Sequence, residues 1–268
     1  DADFWVVDKP AGLSTQPWRR GGPALQALLP PGATLLHRLD AEASGLLLCA
    51  RTVIAAAILQ WALERGAITR EYLAIVAGRL PESGRIELRI GPRACSGPMS
   101  ALRQCYPVGS PHGQPATTLF RVADRRGAGA AEQTLLLVRL LSGRTHQIRV
   151  HLAALGSPIL GDLAYGEPGP PAPRLMLHAA RLRFPHPRTG RPCEILSPPP
   201  PELAWPPELV LAEASNAPAA PGASDAPITD AKTSRRDAGT RYSTLAAALD
   251  AAFPLAARSP TAAPHLAP

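Results

Sequence analysis

The stretch SPPPPELAWPPE, residues 197–208, limits what this chain can fold into more sharply than any other feature. Beyond it the sequence is mostly Ala, Pro, Ser and Thr with few large apolar residues. Such a segment cannot bury enough surface to offset the entropy of ordering it. The expectation is a folded body over residues 1–204 and a Pro/Ala-rich, disordered tail over 205–268. One stretch of that tail, RYSTLAAALDAAF, places Leu245, Leu249 and Phe253 at helical spacing after a Ser/Thr start. A short amphipathic helix that docks on the body is one reading, and a solvated appendage is the preferred one.

The body has the means to fold. Hydrophobic residues make up 46% of the 268-residue chain, ample for a packed core. Net charge is +7, unevenly placed. Residues 206–268 hold five cationic and six anionic side chains, so the first 205 residues carry a surplus of eight positive charges. Nearly all are arginines, Lys9 being the body's only lysine, and the planar guanidinium fork matches phosphate geometry. An anionic partner such as nucleic acid follows as one candidate. Four cysteines (Cys49, Cys95, Cys105, Cys193) show no C-x-x-C spacing, which points to free thiols and away from a zinc site. No apolar run approaches the length of a membrane span and no signal peptide is visible, so a cytoplasmic protein is expected.

Periodicity then divides the body. FWVVD (4–8) reads as a strand closed by the turn KPAG, and GLLLCA (45–50) as a short buried strand. After Thr52, a plausible N-cap, Ile54, Ile58 and Trp61 recur at helical spacing and predict a helix over 53–65 lying on the sheet. EYLAIVAG, GRIELRI, TTLFRV and QTLLLVRLL read as further strands, and residues 93–115 as a long surface loop. In SGRTHQIRVHLAALG (142–156) the period changes. Ile148, Leu152 and Leu155 share a helical face, Thr145 is a candidate cap and Gly156 a stop. Strands outnumber helices and their spacing is hairpin-like, so the fold class is α+β, with a mixed, mainly antiparallel sheet.

Within this pattern LLHRLDAEASGLLLCART (35–52) places a lone aspartate, Asp40, between a His-Arg pair and a Ser-Gly turn that feeds an apolar strand. A buried strand needs no charge at its start, so the carboxylate calls for a use. His37, His146, His151 and His178 with Asp40 make an unconvincing metal set, because His146 and His151 are five apart and face different sides of a helix. A kinase reading of HRLD fails for want of a Gly-rich loop and D-F-G. No G-x-S-x-G elbow exists and no cysteine has basic neighbours in sequence. Glycoside cleavage needs two carboxylates, one kept protonated, and nothing near Glu42 raises its pKa. Alone, HRLD is better read as a loop salt bridge.

The neighbours change that balance. HRLDAEASGLLL resembles the H-R-L-D-x-x-T/A-S-G signature of the RluA-type pseudouridine synthases. The resemblance runs in order through VVDKPAGL, REYLAIVAG, PATTLFRV, SGRTHQIRVHLAALGSPILGD and RLMLHAARL, about residues 4–197. It implies the pseudouridine synthase catalytic fold with flanking helices and a central cleft. It also implies isomerisation of uridine in structured RNA (ribosomal, or else transfer RNA) by a monomer that needs neither cofactor nor metal. On this resemblance Asp40 is the catalytic aspartate, attacking the ribose C1′ or taking its C2′ proton. Tyr72 stacks on the target base and helps move its C5 proton. Arg144 matches the arginine that pairs with the aspartate, and Arg38 engages RNA where the base is extracted. Leu46–Leu48 are expected to wall the site from water, which would otherwise hydrolyse the sugar bond. Two positions depart from the pattern: Ala43 stands where Thr is common, and Gln114 where a basic residue is frequent.

The rival readings are an RNA-binding module of the same fold that has lost turnover and, further off, a base-releasing glycosidase. On the sequence alone, a chain ended at Trp205 is expected to keep its activity in a turnover assay.

Overall fold

The computed structural model describes residues 1–17, 22–93, 102–166, 172–203, 245 and 247–253. Ten strands form one sheet: β1 (Phe4–Lys9), β2 (Thr34–Leu35), β3 (Ser44–Ala50), β4 (Thr69–Ala77), β5 (Ser83–Pro92), β6 (Arg103–Tyr106), β7 (Gln114–Arg126), β8 (Gln133–Leu140), β9 (Leu177–Pro185) and β10 (Pro192–Leu196). Among the described residues they are accompanied by α1 (Leu25–Leu28), α2 (Val53–Glu64) and α3 (Gln147–Ala154), besides helical residues near the C-terminus. Strand order is β1-β3-β9-β4-β8-β7-β5-β6, with β10 on β9 and β2 on β3. Every pairing is antiparallel except β3 with β9. This is the α+β fold expected from the sequence, with the sheet mixed and mainly antiparallel.

The parallel join is held by a glycine. Gly45 sits at φ 108, and a Cβ there would lie 2.3 Å from the Ala179 carbonyl oxygen. Only glycine lets β3 approach β9 so closely just past the Asp40 loop.

Several local readings shift. Helix α2 is capped by Thr52, whose hydroxyl accepts the Ala55 N–H at 3.1 Å. Its buried face, however, is Ala55, Leu59 and Ala62, while Ile54 and Trp61 are mostly exposed. Both stripes carry the same period, and the small alanines let α2 sit close on Leu46, Leu48 and Leu182. The long loop expected over 93–115 contains β6 and the first two residues of β7; its residues 94–101 lie outside the described ones. Helix α3 starts at Gln147 behind a left-handed His146 (φ 57), not behind a Thr145 cap.

The tail requires a larger correction. Residues 204–244 and 254–268 lie outside the described ones, but residues 245 and 247–252 are helical and docked. Leu245, Leu249 and Phe253 are buried in the main core cluster, so this stretch is no solvated appendage. Polar contacts fix it too. Asp250 lies 2.9 Å from Arg181 and also pairs with Arg183, while Arg139 and Arg121 donate to the carbonyls of Phe253 (2.8 Å) and Ala251 (3.0 Å). Cations at the last carbonyls of a helix favour its dipole as well as filling its open acceptors.

Beneath lies Glu71 of β4, fully buried between Arg139 and Arg181 on the two flanking strands. A carboxylate so placed is tolerable only because it is paired on both sides.

A chain ended at Trp205 would uncover this cluster, so its melting temperature is expected to fall. Acid titration tests the ion pairs. Burial raises the Asp250 pKa, but Arg183 and Arg181 lower it more, leaving it below the ordinary 3.8. A carboxyl depressed on folding stabilises above its unfolded pKa and ceases to as pH falls through the folded one. Urea midpoints should therefore drop less below about pH 4 in Asp250→Asn than in the parent protein.

Candidate active site

Asp40 stands in the loop between β2 and β3, and that loop is held from beneath by the end of β1. Lys9 is wholly buried and directs its Nζ at four carbonyls: Pro10 (2.8 Å), Leu13 (2.8 Å), Ala41 (3.0 Å) and Ala43 (2.7 Å). Convergent acceptors are what a buried ammonium requires. Burial brings its pKa down to about 8, against the pull of the Asp40 and Glu42 carboxylates, so at neutral pH the charge persists. The Thr15 hydroxyl donates to the Leu39 carbonyl at 2.6 Å and accepts the Leu39 N–H at 3.2 Å, and Gly12 N–H binds the Ala41 carbonyl at 2.8 Å. Residues 39, 41 and 43 are thus tied, and Asp40 between them projects into the cleft.

Its cationic partner is Arg149, in the first turn of α3. The guanidinium is 4% exposed and forks onto Asp162 through Nε and Nη2, both at 2.8 Å. The third nitrogen, Nη1, lies 3.3 Å from Asp40 Oδ2 and 3.5 Å from Glu42 Oε2. Burial opposes the Arg149 charge, but hydrogen bonds and attraction from Asp162, then Asp40 and Glu42, outweigh it and raise the pKa. Asp40 Oδ1 faces His146 Nε2 at 3.8 Å. Burial keeps that imidazole below its ordinary pKa despite Asp40 beside it.

The four residues singled out from the sequence, Asp40, Tyr72, Arg144 and Arg38, all line one cleft, together with Ala43, His146, Gln147 and Arg149. Tyr72, on β4, is 4% exposed, and burial above all raises its pKa, so the phenol keeps its proton. Arg38 lies exposed at the mouth. Arg144 corrects the reading. Its Nε donates to the Pro115 carbonyl at 3.1 Å, and among the described residues Arg149, not Arg144, is the arginine paired with Asp40. The left-handed turn at His146 separates the two arginines, leaving Arg144 outside the helix and Arg149 inside.

Gln147 organises this junction. Its Oε1 accepts from Arg144 N–H (3.0 Å) and Ser142 Oγ (2.9 Å), while its Nε2 donates to Thr117 O and Thr118 Oγ1 (both 3.0 Å). The one signal for Arg149 in the sequence was position: it lies in the same quoted block, inside the predicted helix.

The apolar wall also differs from expectation. Leu39, Leu140, Ile148 and Leu177 line the cleft, whereas Leu46 and Leu48 pack under α2. The other histidines weighed as ligands are engaged elsewhere: His178 with Ser44 (2.9 Å), His151 with Thr118 (2.9 Å) and His37 with the Leu48 N–H (3.2 Å). Among the described residues the group with metal-ligand geometry is Asp1, Asp3 and His186, and Asp3 is already bidentate with Arg188.

A lysine at 149 would keep the charge but could not hold Asp162 and Asp40 together. Loss of one charge-assisted bond, about 1.5–3 kcal/mol, corresponds to roughly a 10–100-fold fall in kcat for Arg149→Lys. Single-turnover kinetics beside a melting curve would separate this from misfolding.

The family model described as RNA pseudouridylate synthase matches residues 3–154. A Vibrio vulnificus protein described as ribosomal large subunit pseudouridine synthase D is 38% identical over 227 residues, covering 76% of this chain and 66% of its own length. Its counterpart from Nitrosomonas europaea is 36% identical over 212 residues, covering 71% of this chain and 58% of its own length. This chain therefore spans less than two thirds of the relatives' length in the Nitrosomonas case and just under that in the Vibrio case. Among solved structures, human RNA pseudouridylate synthase domain containing 1 superposes with a TM-score of 0.64 at 28% identity, covering 81% of this chain and 93% of that one. By the extent of the family match and these identities, the chain belongs to the RNA pseudouridylate synthase family.

Proposed function

We propose that this chain isomerises uridine to pseudouridine in structured RNA, with ribosomal RNA the foremost substrate and transfer RNA the second. The observation that carries the reading is the setting of Asp40: a single carboxylate in the cleft with a guanidinium at one oxygen and an imidazole facing the other. The reaction breaks the bond from C1′ to N1 and forms one from C1′ to C5, while a proton leaves C5 and another is taken up at N1. Apart from these protons nothing is exchanged with the surroundings and no redox change occurs, so neither cofactor nor metal is called for.

Asp40 either attacks C1′ or removes the C2′ proton, and both roles use the carboxylate that Arg149 holds in place at 3.3 Å. Tyr72 offers the flipped base a neutral aromatic face beside Asp40. Leu39, Leu140, Ile148 and Leu177 exclude the water that would leave an abasic site. Arg38 and Arg144, at the rim, are placed for phosphates, in keeping with the positive surplus of the first 205 residues. The curated relatives named as large-subunit synthases support ribosomal RNA as the substrate class. A monomer acting in the cytoplasm completes the proposal. No helix among the described residues is long and apolar enough to cross a membrane.

Incubation with unmodified ribosomal RNA and transfer RNA tritiated at uridine C5 tests this, because isomerisation releases the label. Release from ribosomal RNA by the parent protein, and none by Asp40→Asn at nearly unchanged RNA affinity, is the expected result. Equal release by both proteins would remove Asp40 from the mechanism, and free uracil in place of pseudouridine would reveal a glycosidase.

A further inference from the structure

The cleft contains one backbone feature that the chemistry above leaves unused. Among the described residues His146 is the one non-glycine residue with positive φ (57), a conformation that costs an L-residue stability and persists where the surroundings impose it. It occupies the N-cap position of α3 yet makes no side-chain cap bond. Its ring is engaged elsewhere. Nδ1 lies 2.6 Å from the Tyr165 hydroxyl, and Nε2 faces Asp40 Oδ1 at 3.8 Å.

Tyr165 is itself fixed from three sides. The backbone N–H of Arg103, the first residue of β6, donates to its hydroxyl oxygen at 2.9 Å. Its own N–H donates to Asp162 Oδ1 at 3.1 Å, and the Arg149 guanidinium stacks 5.2 Å from its ring centroid. One residue therefore touches both groups that flank Asp40: Arg149 through its ring and His146 through its hydroxyl.

The hydrogen-bond partners of Tyr165 point to one protonation state. A phenol oxygen that accepts from Arg103 still has one proton to give, and the acceptor within reach is His146 Nδ1. A neutral imidazole accepting at Nδ1 must carry its proton on Nε2. We infer that Tyr165 is a positioning residue that locks His146 as the Nε2–H tautomer, so that Asp40 is faced by a donor at each oxygen: Arg149 at Oδ2 and His146 at Oδ1. In the other tautomer the bare Nε2 lone pair would face the carboxylate and repel it. The His146–Tyr165 pair thus orients the aspartate without placing a second full charge in the cleft. The role in turnover rests on the uridine-isomerising reading; the tautomer does not.

Two readouts test this. In two-dimensional 15N–1H spectra of histidine-labelled protein, with His146 assigned by its loss in His146→Gln, the parent should show the Nε2–H pattern. Tyr165→Phe, which deletes only the hydroxyl, should move His146 toward Nδ1–H and lower kcat for tritium release about tenfold with KM within about twofold. His146→Gln, which keeps an N–H donor at similar reach, should retain more activity than His146→Leu; this pair carries the test if Tyr165→Phe melts.

An Nδ1–H pattern in the parent, or an unchanged tautomer and kcat in Tyr165→Phe, overturns the inference. Absence of tritium release by the parent protein from every RNA, with the tautomer as stated, overturns the isomerase reading and the positioning role of Tyr165 in turnover with it. Release together with the wrong tautomer overturns only the inference.

Discussion

One guanidinium holds the cleft together. Arg149 is nearly buried, and an arginine in that position needs each nitrogen matched. Two are taken by Asp162, at the turn after α3, and the third is left for Asp40 on a loop more than a hundred residues earlier in the chain. The fork is rigid, so fixing two nitrogens fixes the third. Asp162 determines where Arg149 points, and Arg149 determines where Asp40 is stabilised. Lys9 performs the corresponding task from the other side by gathering the carbonyls of residues 41 and 43. Neither cation could be exchanged for an apolar residue without leaving several acceptors unpaired.

The sheet separates two charged systems by the alternation of β4. Tyr72 turns toward the cleft, and Glu71, its neighbour, lies on the opposite face between Arg139 and Arg181. That second system is completed by Asp250 and by carbonyls of the C-terminal helical segment. The segment therefore supplies both apolar cover and charge balance to the back of the strands that carry the site. Arginine content read from the sequence as affinity for an anionic partner is in part internal: Arg139, Arg149 and Arg181 are buried or nearly so and paired within the fold.

Local readings succeeded where one element could decide and failed where two had to meet. The period after Thr52 announced a helix, but whether Ile54 or Ala55 faced the sheet depended on how closely α2 could approach β3, which a helical wheel does not contain. Asp40 was legible because its signature is contiguous. Arg149 was not, since the choice between it and Arg144 turns on the left-handed residue at 146. Leu245, Leu249 and Phe253 had the right spacing for a docked helix, yet the composition around them argued for solvent, and their acceptor groove on the sheet is written elsewhere in the chain.

The sequence by itself determined the α+β class, most strand positions, the family resemblance and the aspartate, because these rest on period-two and helical patterning and on one short motif. Only the tertiary structure decided which arginine pairs with that aspartate, which groups surround the His146 ring, and that Leu245, Leu249 and Phe253 pack into the core. Each of those depends on directed contacts between segments far apart in the chain. Hydrogen-bond direction and the matching of buried charges are properties of the assembled arrangement, not of any stretch within it.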